Sequence, residues 1–181
     1  MGDTLNPKTD RQRIFIAAWP DDIAREALRD TANSILKTGF QAKQVKPENI
    51  HITIAFLGDL IPAAVETIKH LLSNFQLSHI TLNLNRLGYW RKPRVVWLGC
   101  RDKPTGLITE IESLHSQLRR LGFRVDERGF VPHVTVFRKA AKRPHISITP
   151  IEWPVSELTV VRSTLTSDGP NYEIIATSDN K

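Results

Sequence analysis

Four of the six histidines in this chain begin a similar phrase, in which a hydroxyl residue follows the histidine by two positions. These phrases begin at His51, His79, His133 and His145. On a strand, residues i and i+2 point to the same face about 6 to 7 Å apart, so each phrase places an imidazole beside a hydroxyl. The hydroxyl can donate a hydrogen bond to an anion, and the imidazole can give or take a proton near neutral pH.

Two of the four phrases share a context that the others lack. His51 and His133 each follow a proline-containing turn, and each is followed by an apolar stretch that includes phenylalanine. Their separation, 133 − 51 = 82 residues, is close to half of the chain. That spacing is expected for equivalent positions in two lobes, whereas His79 and His145 are interpreted as ordinary strand residues. For any single phrase, the alternative is that the histidine and the hydroxyl residue only form the polar, solvent-facing side of a strand.

Composition places the chain among globular proteins. Its 181 residues include 25 Lys and Arg against 19 Asp and Glu, a formal charge of +6, and 40% of the residues are hydrophobic. The longest apolar runs are far shorter than the roughly 20 residues that span a bilayer, so no membrane partner is expected. A sequence pI near 9.7 permits attraction to polyanions, but the charge alone identifies no nucleic-acid partner.

Several other chemistries lack their usual motifs. The single cysteine, Cys100, excludes an internal disulfide framework and a cysteine-rich zinc site, and its place at the end of an apolar stretch favours an inert thiol. A His-x-Thr pattern is a poor metal motif, because the sequence supplies no cluster of further ligands beside it. Neither a Gly-x-Ser-x-Gly elbow nor a glycine-rich phosphate loop is present. No metal and no cofactor are predicted.

The amino-terminal residues 1–12 are polar and contain no apolar segment typical of a secretory signal. They are predicted to form a flexible tail, and a cytoplasmic location is expected. A myristoylation motif at Gly2 fails, because Asn6 stands where the motif requires serine or threonine.

Hydrophobic periodicity and turn residues predict alternating strands and helices. Strands are expected at 13–19, 50–57, 79–90, 94–100, 131–137, 156–166 and 172–177, and helices at about 21–39, 62–73 and 104–121. The strands on either side of the turn at 91–93 are expected to pair as a hairpin. This order is typical of an α+β protein with two lobes of antiparallel sheet and helices on their outer faces.

The two histidine phrases, HITIAFLG (51–58) and HVTVFR (133–138), resemble the signature motifs of the two-histidine, or 2H, phosphoesterase superfamily. The chain is most similar to the RNA 2′,3′-cyclic phosphodiesterases, also called 2′-5′ RNA ligases. The segments RIFIAAWP (13–20) and RVVWLG (94–99) extend the resemblance. It implies that 1–181 form a single bilobal, monomeric domain with two pseudo-symmetric antiparallel sheets and a central cleft.

Carried over to this sequence, the resemblance assigns His51 and His133 as catalytic, and Thr53, Thr135 and Arg138 as phosphate-binding. Our hypothesis is that His51, as an imidazolium, protonates the departing ribose 3′ oxygen while neutral His133 activates water, leaving a 2′-phosphomonoester. The reaction would need no metal, and 2′-5′ ligation would reverse the two roles. The implied partners are RNA ends or nucleotides that carry a 2′,3′-cyclic phosphate.

Further substrate contacts are predicted from aromatic and basic residues. Phe15, Phe56 and Trp90 are candidates for stacking on a base, and Arg91 for a phosphate contact, whereas core packing is the alternative for the two phenylalanines. The basic loop 138–143 is a second candidate RNA contact, with a merely solvated face as its alternative.

A non-catalytic protein that binds RNA ends or nucleotides is the alternative from another class. Two titrating histidines favour an enzyme, since a binder has little need of them. Turnover of a 2′,3′-cyclic nucleotide in the presence of a chelator separates the two. Other phosphodiesters stay open as substrates: a tRNA-derived cyclic phosphate, ADP-ribose 1″,2″-cyclic phosphate or a 2′-5′ linkage.

Overall fold

The computed structural model of the chain describes residues 11–167 and 169–178. Its strands are β1 (Gln12–Ala18), β2 (Lys43–Gln44), β3 (Ile52–Leu60), β4 (Ile80–Leu84), β5 (Arg86–Trp90), β6 (Val95–Gly99), β7 (His133–Arg138), β8 (Ile151–Val155), β9 (Thr159–Thr166) and β10 (Gly169–Thr177). Its helices are α1 (Asp22–Lys37), α2 (Pro62–Ser73) and α3 (Thr105–Arg120), with a 3₁₀ turn at Pro47–Asn49. The predicted α+β class is confirmed.

The strands form two antiparallel sheets. The larger has the order β10-β9-β1-β3-β7-β6-β5, with β2 also paired to β7, and the smaller consists of β4 and β8. β1 and β3, β9 and β10, and β5 and β6 form long ladders, whereas β3 and β7 share only the register pair Ile52 and Val134. The larger sheet is therefore two halves that meet in a narrow contact, and these halves correspond to the predicted lobes.

Each helix buries one apolar face, as its 3.6-residue periodicity predicts. In α1 the Asp21 side chain accepts a hydrogen bond from the Ala24 backbone N–H at 2.7 Å, and this cap fixes where the helix begins. α1 packs against β7 and β8, and α2 packs against β1, β9 and β10. α1 and α2, which both come from the first half of the sequence, thus pack against strands from the second half. One apolar core contains residues from both halves of the sequence.

One predicted strand differs from the structure, and one observed strand was not predicted. Residues 79–90 are not one strand but β4 and β5, which pair with β8 and β6 respectively. The chain changes sheets at Asn85, whose side chain accepts a hydrogen bond from the Arg101 N–H at 2.8 Å. β8 contains Pro154 and was not predicted; the proline is tolerated because, among the strands that the structure describes, β8 pairs with β4 alone.

The remaining differences lie at element ends and termini. The strand predicted at 156–166 begins at Thr159, and the residues around His145 form no strand. Of the predicted amino-terminal tail, residues 1–10 lie outside the described residues, whereas Gln12 already belongs to β1. Within the described chain, no helix has the length and apolar character needed to cross a membrane.

Candidate active site

The pairing of β3 with β7 brings the two histidine phrases onto one face of the sheet. Ile52 and Val134, which are partners in register, are both fully buried on the core side. Because side chains alternate along a strand, the residues on either side of this pair point to the opposite face. His51 and Thr53 around β3, and His133 and Thr135 on β7, therefore share that opposite face.

These four side chains line one cavity of about 210 Å³, which we call the first cavity. Arg138, at the end of β7, lines it as well. The structure thus brings together all five residues that the sequence predicts for catalysis and phosphate binding. The other lining residues include Lys43, Lys46, Asn49, Lys139 and Tyr172.

His51 is the more deeply enclosed of the two histidines. Its Nδ1–H donates to the Asn49 carbonyl oxygen at 2.8 Å, and its Nε2 is 3.1 Å from the Thr53 hydroxyl. The rings of Phe15, Trp19 and Tyr172 surround it, with centroids 5.1, 5.1 and 5.3 Å away.

Burial, with smaller contributions from the positive charges of Arg138 and His133, lowers the pKa of His51 from 6.5 to about 4, against the raising effect of the Asn49 carbonyl. The His51 ring is therefore neutral at pH 7 when the cavity holds no anion.

His133 repeats the same local arrangement. Its Nδ1–H donates to the carbonyl oxygen of Val131, two residues earlier, at 2.9 Å. Its ring meets the Trp90 ring edge-to-face at 4.5 Å. Burial, and secondarily Arg138, lowers the pKa of His133 from 6.5. In both histidines the backbone carbonyl fixes the proton on Nδ1 of the neutral ring, so Nε2 remains the atom that accepts a proton.

The first cavity is strongly basic. Lys43, Lys46, Arg138 and Lys139 line it, and no carboxylate does among the residues that the structure describes. Tyr172 lies near the same charges, and burial raises its pKa above the usual value of 10. Such a lining attracts and holds anionic groups such as phosphates.

Sequence reasoning missed several of these residues. Lys43 and Lys46 stand a few positions before His51 in a segment that reads as a linker, and two lysines leading into the motif were the available signal. Trp19 and Tyr172 carried no such signal, because the sheet order brings β10 beside the site from the far end of the chain.

The residues predicted to touch the rest of the substrate fall into different positions. Phe15 is 4% exposed and packs against His51, so core packing accounts for it. Trp90 packs against His133, and Phe56, which is 51% exposed, lines a second cavity beside the first. Arg91 is exposed and is not among the residues that line either cavity. His79 and His145 are exposed and lie outside both cavities.

No metal-binding cluster is found in residues 11–167 and 169–178, where no group of three or more His, Cys, Asp or Glu side chains could hold an ion. Cys100 is half-buried, and burial raises the pKa of its thiol, so it is not an activated nucleophile.

Known proteins share this fold and sequence. The family model described as LigT like Phosphoesterase matches residues 19–97. The chain is 31% identical to the RNA 2′,3′-cyclic phosphodiesterase of Escherichia coli strain K12, over 89% of this chain and 92% of that protein. It is 31% identical to the protein of that name from Thermotoga maritima, over 90% and 92%. The apo crystal structure of E. coli LigT superposes with a TM-score of 0.80 at 30% identity, covering 95% of this chain and all of that one.

Fold and sequence define the class of this protein, which is a two-histidine phosphoesterase. Within that class, the chain belongs to the RNA 2′,3′-cyclic phosphodiesterase family. The sequence left two classes open, an enzyme and a non-catalytic protein that binds RNA ends or nucleotides. Family membership favours the enzyme, since these relatives are named as phosphodiesterases.

Proposed function

We propose that this chain hydrolyses the 2′,3′-cyclic phosphate of RNA ends or nucleotides to a 2′-phosphomonoester, with His51 and His133 as acid and base and without a metal. The observation that carries the proposal is the shared face of the two His-x-Thr phrases, which open into one cavity with Arg138. The names of the relatives support the substrate class.

The reaction uses each residue at a stated atom. Thr53 and Thr135 donate hydrogen bonds to the non-bridging oxygens of the cyclic phosphate, and Arg138 offsets the charge that develops on them. His133 Nε2 takes a proton from water as its oxygen bonds to phosphorus. The bond from phosphorus to the ribose 3′ oxygen breaks, and that oxygen takes a proton from His51 Nε2. The product carries the phosphate on the 2′ oxygen and a free 3′ hydroxyl.

His51 must be protonated in the complex with substrate, although burial holds its pKa at about 4 in the empty site. Two features favour the imidazolium once substrate is bound. The phosphodiester brings a negative charge beside the ring, which raises the pKa of a neighbouring imidazole. The three aromatic rings around His51 also attract a cation. Binding of the substrate thus raises the pKa of His51 and favours its protonated form, which can act as the acid.

Reversible 2′-5′ ligation belongs to the same proposal. A ribose 5′ hydroxyl can replace the water beside His133, because both present an O–H to the same base. Attack by that hydroxyl on phosphorus, with release of the 3′ oxygen, gives a 2′-5′ phosphodiester and no other product.

The test is turnover of 2′,3′-cyclic AMP in excess EDTA, followed by phosphorus NMR. We expect adenosine 2′-phosphate as the product, and a loss in kcat/KM of about 100- to 10,000-fold for His51→Ala and for His133→Ala. His79→Ala is the matched control, since His79 begins the same His-Ile-Thr phrase on an exposed segment away from the cavity. A 3′-phosphate product, or turnover that survives both substitutions, contradicts the proposal.

A further inference from the structure

One buried histidine takes no part in the proposed reaction. His115 lies on α3 and is 5% exposed, and its Nε2–H donates to the carbonyl oxygen of Ile54 at 2.8 Å. A buried polar side chain is costly unless it is hydrogen-bonded, so this bond accounts for how the imidazole is accommodated. The bond also joins α3, from the second half of the sequence, to β3, from the first half.

Ile54, which accepts this bond, lies at an irregular point of β3. In the ladder with β1, the register passes from Thr53 to Ala55 and leaves Ile54 out. On the other side of β3, the ladder with β7 contains Ile52 alone among the described residues. An extra residue in a strand leaves its backbone groups without ladder partners, and a buried carbonyl then needs another donor. His115 supplies that donor at the residue that directly follows Thr53, which binds phosphate in the proposed reaction.

A second neighbour of His115 leads to His133. The rings of His115 and Phe130 meet edge-to-face, with centroids 6.2 Å apart. Phe130 directly precedes Val131, whose carbonyl oxygen accepts the Nδ1–H of His133 at 2.9 Å. Together with Thr53 and His133, His115 lines the second cavity, whose volume is about 540 Å³. His115 therefore contacts the backbone just after the first His-x-Thr phrase and the loop just before the second.

The His115 ring acts as a neutral donor. Burial, with a smaller contribution from the positive charge of Arg119, lowers the pKa of His115 from 6.5, against the raising effects of the Ile54 carbonyl, Glu112 and Asp126. The ring is therefore neutral at pH 7, and its proton lies on Nε2 because a carbonyl oxygen can only accept. A neutral amide N–H in the same place can form the same hydrogen bond.

We propose that His115 is a positioning residue, which fixes the two halves of the site relative to one another through its contacts with Ile54 and Phe130. The inference rests on the proposed function and goes beyond it, because the proposed reaction takes place in the first cavity, which His115 does not line. The register pair of Ile52 and Val134 by itself leaves the angle between β3 and β7 free to vary. The bond to Ile54 is a second attachment, beyond the point where these two strands separate.

The experiment replaces His115 in two ways and measures steady-state kinetics on 2′,3′-cyclic AMP. Leucine has no donor, so we expect His115→Leu to lower kcat about 10- to 100-fold, since a 1 Å misplacement in an active site can cost about 100-fold. KM should change less than about threefold, because the residues that hold the phosphate are unaltered. Glutamine places an amide N–H near the position of the imidazole Nε2, so His115→Gln should keep kcat within about threefold of wild type.

Two further variants separate positioning from stability. Phe130 is only partly buried, so Phe130→Leu alters the second contact with little risk to the fold, and we expect kcat to fall about fivefold or more. Leu107→Ala removes a fully buried side chain about two turns away on α3, so it should lower the midpoint of urea unfolding and leave kcat within about twofold of wild type.

The possible outcomes distinguish this inference from the proposed function. Wild-type protein that opens the cyclic nucleotide, with unchanged kcat in His115→Leu and Phe130→Leu, overturns the inference alone. Equal losses of kcat in His115→Leu and His115→Gln also overturn it, because the hydrogen bond to Ile54 would then be irrelevant. An equal loss in Leu107→Ala would show that the effect is one of general stability. Wild-type protein that leaves the cyclic nucleotide intact overturns the proposed function, and the inference with it.

Discussion

Ile52 of β3 and Val134 of β7 are antiparallel partners, and this register pair joins the two halves of the larger sheet. Each of the two residues follows a histidine directly and precedes a threonine. The positions of both imidazoles relative to one another therefore depend on one backbone pairing and on the burial of the two aliphatic side chains behind it.

Shortening Ile52 should damage activity beyond its effect on stability. Ile52→Ala removes fully buried carbon atoms, which should lower the free energy of unfolding by about 2 to 5 kcal/mol. Because the strand pairing at Ile52 aligns the histidines, we also expect kcat to fall, by about 100-fold if the site opens by 1 Å. Urea unfolding and steady-state kinetics at a temperature well below the melting midpoint measure the two effects.

Ile68→Ala is the control for that comparison. Ile68 is as fully buried as Ile52, but it lies on α2 and not beside the cavity. A similar loss of stability with nearly unchanged kcat is expected for it. Equal losses of kcat in the two variants would show that the Ile52 effect is one of general stability.

The division of roles between the histidines can be separated with a sulfur-substituted substrate. In a 2′,3′-cyclic phosphorothiolate with sulfur at the 3′ bridging position, the leaving group is a thiolate, which needs no proton because the pKa of a thiol is about 8.5. His51→Ala should then recover to within about tenfold of wild type. His133→Ala should remain slower than wild type by about 100-fold or more. Rescue of His133→Ala and not of His51→Ala would mean that His133 is the acid and His51 the base.

Much of the fold was accessible from the sequence because its elements follow local rules. The α2 helix was predicted with its observed ends, Pro62 and Ser73, since proline fits the first helical turn. β8 was not, because Pro154 disfavours a strand unless the neighbours are known, and neighbours are a property of the tertiary fold. The division of 79–90 into β4 and β5 at Asn85 depends on which sheet each part joins, which no local pattern reveals.

The candidate site, like the fold, could be predicted only as far as local sequence patterns reveal it. The phrases at His51 and His133 are repeated patterns, so the sequence alone could single them out and the fold needed only to bring them together. Tyr172 and Trp19 enclose His51 through the order of strands β10, β9, β1 and β3, a long-range arrangement without a short motif. The second cavity likewise combines β3, α3 and the loop at 125–131, which are far apart in sequence.

The pH dependence of the free enzyme should have an acidic maximum. Catalysis requires one proton on the pair of histidines, and burial lowers the pKa of His51 to about 4 and that of His133 from 6.5. Raising the pH past the higher of the two pKa values removes that proton, so kcat/KM should fall about tenfold per pH unit on an alkaline limb that begins below 6.5, the usual pKa of histidine. Lowering the pH below about 4 protonates both rings and again lowers kcat/KM.

The profile of kcat provides the internal control for that prediction. It reports the enzyme with substrate bound, whose negative charge raises both pKa values, so its alkaline limb should lie at higher pH than that of kcat/KM. Both profiles are measured with 2′,3′-cyclic AMP, because the charge of a phosphodiester does not change in this range. A maximum of kcat/KM above pH 7 would contradict the lowered pKa values.

The lysines of the first cavity should make activity on RNA dependent on salt. Lys43 and Lys46 are exposed residues that line that cavity and precede the first histidine motif. Each phosphate contact with single-stranded RNA contributes about −0.7 to the slope of log affinity against log salt concentration. Lys43→Ala and Lys46→Ala should each make the slope for a short RNA with a 2′,3′-cyclic end less steep by about that amount, with a smaller effect on 2′,3′-cyclic AMP. Lys69→Ala, which removes a lysine paired with Glu66 on α2, should leave the slope unchanged, and an equal effect from Lys69→Ala would mean that net charge alone accounts for the result.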